Sequence, residues 1–216
     1  MKPDLLPHCT DLPFETGILG KPVARLQLDQ TAEFSGLEPV VSSYREDWLR
    51  NGMHMVSCRP PRHWGKSMEF LEAAGFYRVE TLFSLSRPNN NAPRPAIDVV
   101  LANDDDRVPC MDIGRSAFTF DRFHADPAID NALADNLKAA WVENSFLGRA
   151  DAILVLRENG IAQGFVLCLR SDDESVIDLI AVAPGKEGRG YGARPGLWRP
   201  QSLCGPSRKN VCRDTG

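Results

Sequence analysis

The chain has 216 residues, 43% hydrophobic and 25% charged, with a formal net charge of -4. That is enough apolar material for one sizeable domain or two small ones, and the acidic balance offers nothing to a nucleic acid. No apolar run approaches the roughly 20 residues of a bilayer span, and the opening MKPDLLPHCTDLPFE lacks the apolar core of a signal peptide, so the expected compartment is the cytoplasm. Cys9, Cys58, Cys110, Cys168, Cys204 and Cys212 include no Cys-x-x-Cys pair and read as free thiols. His8, His54, His63 and His124 show no ligand spacing, so no metal is expected.

Residues 1–20 read as irregular, because Pro3, Pro7 and Pro13 interrupt a helix. A strand is predicted over 23–28 and a short helix with a Ser cap over 42–51. A strand over 54–58 ends at Pro60-Pro61. Residues 66–74 predict a helix with Met68, Phe70, Leu71 and Ala74 on one side, stopped by Gly75. Tyr77, Val79, Thr81, Phe83 and Leu85 alternate, which predicts a strand over 76–87. The stretch RPNNNAPRP has little to bury or propagate, so a linker is expected over 88–95 after an N-terminal part of 1–87.

A strand over 96–101 follows. Asp104, Asp105 and Asp106 then supply the cap and negative first turn of a helix reaching about Phe118; a solvated helix start explains them better than a metal cluster. Asp126-Pro127 reads as a cap and first helical residue, and Ile129, Leu133, Leu137 and Trp141 form one apolar stripe. Strands over 152–156 and 161–170 flank Glu158-Asn159-Gly160, where Asn-Gly marks a hairpin. Asp172-Asp173-Glu174 turns the chain into a short apolar run containing Val176, Ile177, Leu179, Ile180 and Val182, a largely buried strand.

That strand runs through Pro184-Gly185 into a turn spaced by Gly188, Gly190 and Gly192. A strand, a glycine turn and a helix start leave backbone N–H groups pointing one way, which makes an anion cradle suited to a diphosphate. Side chains there would block the approach. The spacing fits neither the dinucleotide fingerprint nor the P-loop. A tight turn with no ligand is the plain alternative.

AVAP over 181–184 followed by EGRGYGA over 187–193 resembles the acetyl-CoA signature of the GNAT superfamily of acetyltransferases, a strand ending Val-x-Pro and then Gln/Arg-x-x-Gly-x-Gly/Ala. Glu187 departs from it, since the family favours Gln or Arg there; Lys186 and Arg189 flank the carboxylate. The element order over 96–193 is that of the front half of the GNAT fold. DRFHADPAIDNALADNLKAAWVENSF, 121–146, is similar to the TDP-fucosamine acetyltransferase group of sugar-nucleotide N-acetyltransferases. Residues 15–26 and 70–85 resemble the truncated GNAT half that precedes the main domain in that group.

The resemblance implies an α/β fold with a mixed sheet: a GNAT acyl-CoA N-acyltransferase domain over 96–193 behind a smaller α/β part. It implies acetyl-CoA as co-substrate, no metal, and acetyl transfer to the amine of a sugar nucleotide. Backbone groups of Leu179, Ile180, Ala181 and Val182 would hold the pantetheine arm and polarise the thioester carbonyl. The turn of Glu187, Gly188, Arg189, Gly190, Tyr191, Gly192 and Ala193 would hold the diphosphate. Asp178 would orient the amine or act as base, the alternative being that it faces solvent. Arg122, Phe123, His124, Trp141 and Asn144 are the acceptor-side candidates, with Arg122 suited to a nucleotide diphosphate. Against this, Phe123 and Trp141 are also natural core residues, His124 can serve a backbone group, and Tyr191 can be a packing residue.

Past Ala193 the pattern changes. Pro195, Gly196, Pro200, Gly205 and Pro206 forbid a useful helix, and five basic residues face the single Asp214. The expectation is an irregular tail over 194–216, with no further strand, from a frameshift or truncation or as genuine disorder, and an incomplete C-terminal half. The tyrosine that commonly protonates the leaving thiolate in the superfamily has no counterpart after Tyr191. Weak or absent activity and marginal stability are therefore expected. Two readings compete with the sugar-nucleotide enzyme: an inactive remnant serving as an interaction module, and a GNAT enzyme for a peptide or small amine. A homodimer is among the open oligomeric states.

Overall fold

A computed structural model describes residues 7–28, 37–60, 65–88, 99–171, 174–189, 191 and 209–212. The chain divides into two compact units, Met1–Arg78 and Val79–Gly216. Beyond Pro88, the expected linker at 88–95 lies outside the described residues.

The first unit is a three-stranded sheet. Strand β1 (His8–Asp11) runs antiparallel to β2 (Val23–Gln27), and β2 runs parallel to β3 (Met55–Cys58). Helix α1 (Pro13–Leu19) joins the first pair and α2 (Leu37–Arg50) lies between the second. Val23, Ala24 and Leu26 of β2 are buried. Two expectations give way here. The prolines do not exclude helix, because Pro13 opens α1 at a position where a missing N–H costs nothing. Likewise α2 begins five residues before Ser42, with Pro39 in its first turn. Helix α3 (Gly65–Ala73) ends as Gly75 predicts: Gly75 has φ 92°, and the Phe76 and Gly75 N–H groups close back on Leu71 and Glu72. The predicted strand over 76–87 shrinks to β4 (Leu85–Pro88) in the second unit. Tyr77 and Phe83 are exposed. Alternation makes a strand only where a neighbouring edge accepts its hydrogen bonds.

The second unit is built on a six-stranded sheet in the order β4-β9-β8-β7-β6-β5. Strands β5 (Val99–Leu101), β6 (Ala152–Glu158), β7 (Ile161–Arg170) and β8 (Glu174–Val182) are antiparallel neighbours. Asn159 at φ 52° and Gly160 at φ 81° form the β6–β7 hairpin, the left-handed pair that such turns demand. On one face Val155, Ala162, Phe165, Leu167, Leu179 and Ala181 pack on Cys110, Ile113 and Val142 of the covering helices α4 (Arg107–Ala117) and α6 (Asn131–Asn144). Burial pushes the Cys110 thiol up to about 12. On the other face Ala152, Leu154, Leu156, Val166 and Cys168 cluster.

Three further expectations are corrected here. The Asp triplet is a 3-10 turn capped by Asn103, and Asp106 is buried rather than solvated. Its carboxylate takes both forks of Arg157 from β6, one at 2.8 Å, and the Asn103 N–H at 2.8 Å. Burial raises the Asp106 pKa, but these hydrogen bonds and the guanidinium charge outweigh it and hold the group below the usual range. Helix α6 opens at Asp130, whose side chain caps the Ala132 N–H at 2.7 Å, while Asp126 serves the turn before it through Ala128. A four-residue helix, α5 (Arg122–Ala125), precedes that turn. Finally, a strand does form beyond Ala193: β9 (Lys209–Cys212) runs parallel to β8 and antiparallel to β4. Its backbone groups fill two open edges, which needs no alternating side chains. The rest of 194–216 lies outside the described residues.

Helices α4 and α6 touch at Gly114. A Cβ there would sit 2.7 Å from Val142 Cγ2 and 3.4 Å from the Lys138 carbonyl. Gly114→Ala is expected to cost about 1–3 kcal/mol by overpacking. Denaturant unfolding measures it, and adding Val142→Ala should recover part of the loss; equal stability of Gly114→Ala and the parent would contradict the close contact.

Candidate functional site

The site is built on β8. Leu167 pairs with Leu179, but the next residue, Cys168, pairs with Ile177, so Asp178 is the extra residue of a β-bulge. Beyond the bulge the ladder is regular. The Ala183 N–H bonds to the Gln163 carbonyl at 2.8 Å. Backbone groups alternate sides along an antiparallel strand, so Leu179 and Ala181 also face β7. Ile180 and Val182 therefore present N–H and C=O to the opposite edge. Strand β9 covers that edge only from Glu174 to Ile177. Among the described residues, no strand lies beside 179–182 there.

Asp178 is 5% exposed, and its carboxylate is held by Arg149. Arg149 ends a π-helical turn, Ser145–Arg149, that continues α6; Gly148 at φ 108° supplies a conformation that a side chain resists. The two irregular segments meet in this ion pair.

The chain leaves β8 through Pro184 and Gly185 and folds back, with the Lys186 N–H on the Ala183 carbonyl at 3.0 Å. Gly185 and Gly188 hold φ of 77° and 72°. Lys186 and the Tyr191 hydroxyl both bond to Glu158, at the end of β6. The hydrogen bond from Lys186, then that from Tyr191, hold the Glu158 carboxyl below its usual range. The same carboxylate raises the Tyr191 hydroxyl. Beneath it, the Tyr191 ring packs on the Leu154–Val166 face of the sheet. Lys186 and Arg189 add two positive charges to the turn, while Glu187 and Arg189 are exposed. Gly190, Gly192 and Ala193 lie outside the described residues.

The acceptor-side candidates meet on α5 and α6. His124 lies between two carboxylates, Nδ1 2.7 Å from Asp121 and Nε2 3.0 Å from Asp135. Arg122 is 4% exposed, with its guanidinium 4.5 Å from the centre of the Phe123 ring. Phe123 meets Trp141 edge-on at 5.6 Å, and buried Lys138 lies 4.6 Å over Trp141 and 3.5 Å from Asp121. Arg122, His124 and Trp141 thus share one packed cluster, while Asn144 closes α6 one turn beyond Trp141. Sequence reasoning did not find Glu158, Arg149 or Lys138. Glu158 reads locally as a hairpin flank, and neither cation stands in a motif.

Chemically, the open edge can pair with an amide-bearing extended group, and the turn can hold an anion. Among the described residues, no group of three or more His, Cys, Asp or Glu side chains can hold a metal, and no helix is long and apolar enough to cross a membrane.

Because the folded Glu158 pKa is depressed, the stabilisation it carries is present above the ordinary carboxylate value of about 4.3. It fades as pH falls through the lower folded value. Parent and Glu158→Gln should differ in melting temperature at neutral pH and converge in acid. A difference that persists unchanged to about pH 2 would contradict the contact.

The chain matches no family model. It is 30% identical over 115 residues to the spore coat polysaccharide biosynthesis protein SpsD of Bacillus subtilis (strain 168), a match covering 52% of this chain and 40% of that protein. The aligned part is thus well under half the relative's length. A GCN5-related N-acetyltransferase from Sphaerobacter thermophilus superposes with a TM-score of 0.61 at 15% identity, over 97% of this chain and 69% of that one. A functionally unknown conserved protein from Staphylococcus epidermidis ATCC 12228 superposes at 0.67 and 13% identity, over 100% and 84%. The chain has the fold of the GCN5-related N-acetyltransferases.

Proposed function

We propose that the chain is an acetyl-CoA-dependent N-acetyltransferase acting on a small-molecule amine, with an amino-sugar nucleotide as the acceptor. The observation that carries this reading is the open edge of β8 at Ile180 and Val182, beside a turn with Lys186, Arg189 and left-handed Gly188. These residues fit acetyl-CoA: the edge suits the amides of the pantetheine arm, and the turn suits the diphosphate. When bound, acetyl-CoA supplies an acetyl group already activated as a thioester. The chain's own work is to orient that carbonyl through a backbone N–H and to hold the amine against it.

The sugar acceptor is supported by the similarity of 121–146 to sugar-nucleotide acetyltransferases and by the polysaccharide-biosynthesis name of the relative. In this reading Arg122 and His124 act from within, locking α5 through Phe123, Asp121 and Asp135. Trp141 and Asn144, both half-buried on α6, face the acceptor. The reduced cysteines Cys9, Cys58, Cys110 and Cys168 suit a reducing compartment such as the cytosol.

Melting with and without acetyl-CoA tests the reading. At 100 times its Kd the ligand should add about 2.7 kcal/mol of stability. The sharper form uses Val182→Pro, which deletes an N–H that the ladder with β7 does not use. This variant should fold and lose the ligand-induced shift. An amine panel with thiol detection then identifies the acceptor. No shift in the parent would refute acetyl-CoA binding, and acetylation of peptides but no amino sugar would refute the acceptor.

A further inference from the structure

We propose that Arg149 is a positioning residue of the acyl-CoA site, its ion pair with Asp178 fixing which backbone groups of β8 face the open edge. The inference rests on the acyl-CoA reading above. The bulge sets the phase of the strand. Upstream, Ser175 to Ile177 pair with β7 at Arg170 to Cys168, and Glu174 to Ile177 pair with β9. Downstream, Leu179 to Val182 pair with Leu167 to Gly164. If Asp178 entered the ladder opposite Leu167, every residue after it would move by one position. Ile180 and Val182 would then turn their N–H groups toward β7. Leu179 and Ala181 would leave the core face and take the open edge.

Two things oppose that slip. One is burial of Leu179 and Ala181, which any well-packed strand has. The other is specific: Asp178 is drawn out of the ladder by a cation that arrives from another element. Arg149 can reach it because the chain winds one wide turn past α6, with Gly148 in the left-handed region. A straight α-helical continuation would place that side chain elsewhere on the helix surface. The guanidinium is a third exposed, at 34%, whereas Asp178 is 5% exposed. The cation therefore keeps its hydration while compensating a carboxylate that has little of its own. The site's hydrogen-bond direction thus depends on a residue with no need to touch the ligand.

The test compares the parent, Arg149→Gln and Arg149→Gln/Asp178→Asn, the last replacing the ion pair by a neutral amide pair. Hydrogen exchange of the ligand-free chain reads the amides of Leu179 and Ala181, which bond to β7. Titration calorimetry with coenzyme A reads the site. Arg149→Gln should speed exchange at these two amides while β6 and the rest of β7 keep their protection. It should weaken coenzyme A about tenfold, the effect of losing roughly one well-placed hydrogen bond. The double variant should recover both in part. Unchanged exchange and unchanged affinity in Arg149→Gln would overturn the assignment and leave the acyl-CoA reading intact. A parent that fails to bind coenzyme A would overturn that reading, and this assignment with it. Loss of the whole fold in both variants would overturn the assignment alone, because the pair would then be a general stability element.

Discussion

Among the described residues, no strand uses the outer edge of β8 past Ile177. An antiparallel strand uses each residue's backbone groups on one side only. Ile180 and Val182 therefore carry donors and acceptors that β7 cannot take, and β9 stops opposite Ile177. An open edge is a liability for any sheet. Here it stays short, because Pro184 and Gly185 end the strand two residues after Val182. What remains is a short stretch of backbone donors and acceptors, which under the proposed function would meet an extended ligand.

Such an edge is useful only if it does not move. Two ion pairs of the same kind hold the covering helices to the sheet. Arg157 on β6 takes Asp106 just before α4, and Asp178 on β8 takes Arg149 just after α6. The acid stands at a helix N-terminus and the base beyond a C-terminus, so both signs agree with the helix dipoles. Between them, Gly114 lets α4 and α6 approach closely. The carboxylates are the buried partners in both pairs and the guanidiniums keep some water, which limits the desolvation cost.

How far the sequence foretells this depends on how local each cause is. The β6–β7 hairpin is legible because Asn159-Gly160 decides it alone. The apolar run of β8 is legible from its β-branched composition, although only the Leu179 and Ala181 face is buried and Ile180 is exposed. Of the glycine-spaced turn, the structure describes Gly188, at φ 72°, while Gly190, Gly192 and Ala193 lie outside the described residues. Several of the failures have distant causes. Asp106 reads as a solvated cap until Arg157, 51 residues later, takes it. Strand β9 has no strand pattern of its own, since the edges of β4 and β8 make it a strand. The alternation at 76–84 is real but, among the described residues, no strand pairs with it. Pro13 and Pro39 break helices in their interiors and open them in their first turns, and only the position tells which. Asp178 was legible as a residue of interest, but the bulge that sets it apart depends on pairing with β7.

The glycine turn has a second dependence that runs against its proposed task. Lys186, the cation best placed to meet an anion at this turn, is engaged by Glu158, and Tyr191 is bound to the same carboxylate. Glu158 stands at the hairpin and so ties the turn to the rigid β6–β7 pair. The tether gives the turn order before any ligand arrives, which lowers the entropic cost of binding. It also places a carboxylate where an anion would come, and an anion must share Lys186 with it. Order and affinity are therefore set by one residue with opposite signs. Among the described residues Glu158 accepts from Lys186 and Tyr191, so under the proposed function the backbone N–H groups of the turn and the Arg189 guanidinium would be left for the anion. A turn held by its side chains keeps its main chain available for a ligand.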